Sequence, residues 1–119
     1  MEKFRTNVKF QDRKDMTTKM LSKYSNKVPV YVSKGTKSNN IDNFGSKKFL
    51  ADKDMTVCAF INSVKNSLKV NSTTALYLMV NDKEMMVLSV NMGIVYEKYK
   101  SDDGFLYITY YGENVFGLK

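Results

Sequence analysis

The sequence predicts a single α+β domain, and three observations predict it. Three stretches, near residues 11–24, 57–68 and 92–99, repeat their apolar residues at helical spacing. Four others, at 28–32, 47–51, 75–80 and 105–111, are short runs rich in β-branched and aromatic residues, bounded by turn formers. No internal repeat or low-complexity segment interrupts a chain of 119 residues, long enough to bury one core without a metal or disulfide.

In chain order, residues 3–9 offer a short helical turn. From Gln11 to Tyr24 the positions Met16, Met20, Leu21 and Tyr24 fall on one side of a helix, with Asp12 near its start. Val28 to Val32 is a first strand, where Pro29, lacking an N–H for the ladder, belongs at an edge or at the strand's beginning. Gly35 to Ser46 is a long connection rich in turn formers. Lys47 to Ala51 is a second, short strand whose alternation puts Lys48 and Leu50 on one face and Lys47, Phe49 and Ala51 on the other. Asp54 or Thr56 caps the next helix, in which Val57, Phe60, Ile61, Val64 and Leu68 recur at helical spacing. Ala75 to Val80 is nearly continuously apolar, so it is expected in the middle of the sheet with both faces buried. Met85 to Leu88 is a short extended piece, Ser89 caps a helix running to Lys100, and Phe105 to Tyr111 is the last strand.

Composition narrows the function. With no histidine, His-based triads, His-ligated zinc and the common proton shuttle are excluded, so neither catalytic nor metal-binding residues are expected. Cys58, the single cysteine, has no partner for an internal disulfide and is expected to be a small buried residue. No apolar run approaches the roughly 20 residues of a membrane-spanning helix. The first residues lack the apolar core of a secretory signal, which predicts a cytoplasmic protein. The formal charge of +7 is lopsided: residues 1–27 hold eight bases against three acids. Such a face suits phosphates, anionic lipid or acidic protein segments, or is simply solvated. Nothing resembles a helix-turn-helix or an aromatic ribonucleoprotein motif, so no nucleic acid is expected as a partner.

Strand, strand, helix, strand, short strand, helix, strand, with a free tail after the last strand, is the order of a ubiquitin-like β-grasp, here with two additional N-terminal helices. The residues themselves then resemble one family. FQDR at 10–13, KVPVYV at 27–32, KKFL at 47–50, DMTVCAF at 54–60, ALYLMVN at 75–81 and GFLYITYYGENVFG at 104–117 are similar, in order and spacing, to the autophagy-related protein 8 modifiers. The expected parts are an N-terminal helical subdomain at 1–26, a β-grasp core at 27–111 and a flexible tail at 112–119.

The resemblance implies a modifier whose Gly117 is exposed by a cysteine protease that cuts after Phe116-Gly117. Activating and conjugating enzymes then join it to phosphatidylethanolamine, moving the protein from the cytoplasm to the autophagosome membrane. Gly117 is thus a substrate for other enzymes, and no cofactor is implied. The six residues after Tyr111 extend roughly 20 Å, enough to enter a narrow active site, and glycine leaves an attacking thiol or amine unobstructed. Leu118 and Lys119 would be the discarded leader.

The resemblance also implies that a monomeric body binds aromatic-x-x-aliphatic motifs of cargo receptors, the motif adding as a strand beside Lys47–Ala51. Carried over by segment, the aromatic pocket takes Met20, Pro29, Tyr31, Lys48, Leu50 and Phe105, with Lys27 nearby. The aliphatic pocket takes Phe49, Ala51, Met55, Phe60 and Val64. Most of these residues fit a plain core equally well; Lys47 and Lys48 do not. Departures from the family pattern bear on ligand preference: Asp52 replaces a usual proline, Ser63 a usual apolar residue, and Met85-Met86 a usual proline pair, while a basic cluster late in the central helix shrinks to Lys65. The alternative is a non-conjugated ubiquitin-like adaptor that binds peptides or cytoskeleton and keeps its last two residues.

Overall fold

Val28, Val30 and Val32 alternate along one strand, so all three side chains leave the same face, and all three are buried. That face is the floor of the core. The computed structural model describes residues 3–35, 43–71, 73–81 and 83–112. Its elements are α1 (Lys3–Asn7), α2 (Phe10–Lys23), β1 (Lys27–Lys34), β2 (Lys47–Asp52), α3 (Val57–Ser67), β3 (Tyr77–Val80), β4 (Glu84–Met85), α4 (Met92–Tyr99) and β5 (Leu106–Tyr111). The five strands form one mixed sheet in the order β2-β1-β5-β3-β4. β1 runs parallel to β5 and antiparallel to β2, and β3 runs antiparallel to both β5 and β4. This is the ubiquitin-like α+β arrangement expected from the element order.

One face of the sheet packs its valines with Leu106 and Ile108 of β5 against Phe60 and Val64 of α3 and Met92, Val95 and Tyr96 of α4. α2 packs beside β1. It is fixed there by a buried ion pair: Arg13 Nε donates to Asp103 Oδ2 at 2.7 Å, with the Asp103 side chain 1% exposed. Asp103 also accepts from the Tyr107 hydroxyl at 2.5 Å and the Phe105 amide at 2.9 Å. The Thr17 hydroxyl donates to the Asp103 carbonyl at 2.6 Å. Beside it Gly104 takes φ +91°, where a Cβ would lie 2.3 Å from Thr17 Oγ1, so only glycine permits this approach of loop to helix.

Several expectations shift. Pro29 is the third residue of a central strand; it faces Leu50 of β2, and the parallel ladder to β5 begins one residue later at Val30, so its missing N–H falls where β1 has a single neighbour. The apolar run at 75–80 gives a strand only from Tyr77; it is interior as expected, flanked by β5 and β4, but only one of its faces is buried. Leu78 and Val80 are buried while Tyr77 and Met79 are half-buried. Continuous apolarity therefore overstated its burial. The middle strand is β5, with β1 and β3 on either side of it. The extended piece expected at 85–88 is β4 at Glu84–Met85, leaving Val87 and Leu88 exposed.

Of the two possible caps for α3, Thr56 does the work, its hydroxyl accepting from the Ala59 amide at 3.2 Å. The last helix starts at Met92, with Asn91 rather than Ser89 at the cap position. Its first amides are satisfied by tertiary partners, Met92 N to Met55 O at 2.7 Å and Gly93 N to Lys53 O at 3.0 Å, which no local signal specifies. Cys58 is exposed, against expectation. The inward arc of α3 is taken by Val57, Phe60 and Val64, and one residue beyond Val57 is a turn of about 100° away from it.

Candidate functional site

β2 is the last strand on its side of the sheet, so among the described residues its outer edge has no strand partner. Its sequence, KKFLAD, ends in a residue that closes the strand: Asp52 Oδ1 accepts from Lys27 Nζ at 2.5 Å across the first pair of the β1–β2 ladder. Lys47 and Lys48 are both exposed at its start. A short, positively charged edge resists pairing with other edges and remains open to an acidic extended chain.

Cross-strand pairs share a face, and the register therefore sorts the candidate residues. Lys27 with Asp52, Pro29 with Leu50 and Tyr31 with Lys48 lie on the face turned toward the N-terminal helices. Tyr31 is also paired with Tyr107 in the parallel ladder, their rings 6.0 Å apart, and Phe105 lies 6.0 Å from Tyr107. Pro29 and Phe105 are buried, Tyr31 and Met20 half-buried, and Leu50 and Lys48 exposed. The residues assigned to the aromatic pocket thus include a contiguous set on one side of β1 and β2, with Met20 half-buried on α2.

The other set faces the core. Phe49 meets the Phe60 ring edge-on at 5.6 Å, and Val28 pairs with Ala51. Ala51, Phe60 and Val64 are buried members of the core cluster, whereas Phe49 and Met55 are half-buried against it. Ala51, Phe60 and Val64 are therefore spent on packing. Only Phe49 and Met55 of this set keep surface for a ligand. Lys47 is held over this side, its Nζ 2.5 Å from Ser67 Oγ and 5.9 Å from the Phe49 ring centre.

Phe4, Arg5, Arg13 and Asp103 were missed in the sequence. Phe4 stacks on Tyr31 with ring centres 4.4 Å apart and planes 11° apart, meets Phe105 edge-on at 5.4 Å, and has Lys48 Nζ 5.4 Å from its centre. The Arg5 guanidinium lies 3.9 Å over the Tyr107 ring. Arg13 donates to the carbonyls of Arg5, at 3.0 Å, and Val8. An aromatic in a five-residue helix carries no periodic signal, so only its tertiary neighbours reveal it. Gly117 and Phe116 lie outside the described residues, as does most of the long connection, 36–42.

The model of the family described as autophagy protein Atg8, ubiquitin-like, matches residues 12–117. The chain belongs to the Atg8 family. It is 36% identical over 115 residues to autophagy-related protein 8 of Coccidioides immitis, covering 97% of each chain. It is 37% identical to the Atg8 of Dictyostelium discoideum, covering 96% of this chain and 93% of that one. Its likeness to autophagy-related protein 8e of Arabidopsis thaliana is also 37%, covering 96% and 92%. The crystal structure of Trypanosoma brucei ATG8 superposes with a TM-score of 0.84 at 28% identity, covering 95% of this chain and 96% of that one. An Atg8 protein is what the fold and the full-length likeness together describe: a ubiquitin-like protein of autophagy. Among the described residues no helix is long and apolar enough to cross a membrane.

Proposed function

We propose that this Atg8 protein is a lipid-conjugated modifier, a substrate and not an enzyme, that docks aromatic-x-x-aliphatic motifs of cargo receptors along β2. The observation that carries the binding half is the free edge of β2, with Lys47 and Lys48 exposed beside Tyr31 and Leu50. A motif pairing with that edge gains main-chain hydrogen bonds, and preceding acids meet the two lysines. Residues 1–26 serve as an accessory helical subdomain on the β-grasp core at 27–111. Residues 112–119 form the tail.

The conjugation half is supported by a family match that extends through Gly117. A cysteine protease exposes this glycine, and the pathway's activating and conjugating enzymes join its carboxylate to the amine of phosphatidylethanolamine. Two acyl chains then anchor a body that has no membrane-crossing helix among its described residues, since each buried CH₂ contributes about 0.8 kcal/mol and one chain alone binds only marginally. The protein would move between cytoplasm and autophagosome membrane.

Mass spectrometry of the protein from starved cells tests conjugation: a species ending at Gly117 and carrying the lipid is expected, and it disappears in Gly117→Ala. Recovery of only the intact chain would establish the non-conjugated adaptor instead. For the groove, Lys48→Glu is expected to weaken an acid-flanked Trp-x-x-Leu peptide without changing the melting temperature. Unaltered affinity by calorimetry would remove β2 from the reading.

A further inference from the structure

The face of β1 and β2 that carries Tyr31 and Lys48 is covered by a residue of the chain itself. Phe4 lies flat on Tyr31, edge-on to Phe105 and beneath Lys48. A guest aromatic bound between Tyr31 and Lys48 would need the same space and the same two partners. We propose that Phe4 is an internal plug for the aromatic pocket, and that peptide binding proceeds by exchange of one aromatic ring for another. This inference rests on the placement of the groove along β2.

α1 is built to be displaced. It has five residues, none of them buried, and a helix of that length has no stability of its own in water. Its attachments among the described residues include the Phe4 stack, Lys48 over the Phe4 ring, Arg5 over Tyr107, and Arg13 reaching back to the Arg5 and Val8 carbonyls. Arg13 keeps its ion pair with Asp103 independently of α1, and the core cluster does not include Phe4. Release of α1 therefore leaves the body intact. A stacked, partly desolvated aromatic pair and a cation over a ring are modest attractions, enough to keep the plug seated yet within reach of a ligand.

The consequence is an affinity threshold. Apparent affinity is the intrinsic affinity scaled by the open fraction, so a plug seated about nine-tenths of the time weakens every ligand about tenfold. Ligands that bring a larger ring, together with acids that draw Lys48 away from Phe4, overcome it. Those with a small or poorly placed ring do not.

Calorimetry with a synthetic acid-flanked Trp-x-x-Leu peptide tests this on the full chain. Phe4→Ala is expected to bind it at least about threefold more tightly than the unaltered protein, and Phe4→Trp, a better partner for Lys48, more weakly. In the unaltered protein the amide resonances of residues 3–8 should move to unstructured values as peptide is added. Equal affinity for all three proteins, or an α1 that keeps its shifts in the complex, overturns the plug. If Lys48→Glu still weakens binding in that case, the groove stands without it. Failure of the peptide to bind any of the proteins overturns the groove and the plug together.

Discussion

Asp103 shows how much a single side chain can organise. It accepts from Arg13, Tyr107 and the Phe105 amide, and its carbonyl accepts from Thr17, so one buried carboxylate joins α2, the turn before β5 and β5 itself. A buried ion pair adds little over a well-packed apolar pair, but removing one partner strands the other's charge. Arg13→Ala is therefore expected to lower unfolding free energy by about 3–5 kcal/mol, and Asp103→Ala added to it should cost much less than the two single losses combined. Urea unfolding of the double-mutant cycle measures both; additive losses would mean the pair is not coupled. At this scale the sequence was only partly legible. Lys47 and Lys48 could be picked out as surface residues because lysines have no place in a core, but Cys58 could not, because a small apolar residue fits either side of a helix boundary.

Among the elements, α3 and β2 were the most readable. In α3 the apolar period and the cap agree: Thr56 accepts the Ala59 amide, and Val57, Phe60 and Val64 face inward. Thr56→Ala is expected to destabilise the fold by about 1 kcal/mol, seen as a lower urea midpoint with an unchanged slope. A cost near zero would show that the bridge between Thr56 and Asn91 and the surrounding amide bonds hold the helix start without the hydroxyl. In β2 the alternation assigned each residue its face, because a strand's period of two leaves no freedom once one side is buried. β3 misled for the opposite reason. A continuous apolar run hides its own period, and the half-open face of Tyr77 and Met79 became visible only once the neighbouring strands were placed. α1 was legible merely as a short turn, and the purpose of its aromatic residue was not legible at all.

Across the whole molecule, three of the buried phenols sample two regions: Tyr107 and Tyr96 at the Asp103–Gly104 turn, donating to the Asp103 carboxylate at 2.5 Å and the Gly104 carbonyl at 2.6 Å, and Tyr110 donating to the Gly45 carbonyl at 3.0 Å. Burial raises the pKa of all three above the ordinary 10.0, with Tyr107 pushed further by its hydrogen bond to Asp103 and that residue's charge. The folded protein then holds protons that the unfolded chain has begun to lose, so stability is fully present below about pH 10 and falls as pH rises through it. A melting series across that range should show the decline, and Tyr107→Phe should make it shallower. An identical slope in the variant would remove Tyr107 from the account.

The sequence by itself determined the kind of each element, the order in which they come, the faces of β2 and α3, and membership in a family whose pattern runs almost the full length. Those are local or periodic properties, set by side-chain spacing along the backbone. Tertiary structure alone decided the rest: which strands lie at the centre, that Asp103 is the partner of Arg13 ninety residues earlier, and that Phe4 covers Tyr31. Pairings between distant segments are selected by the free energy of burying them together, and no window of the chain contains both halves of that term.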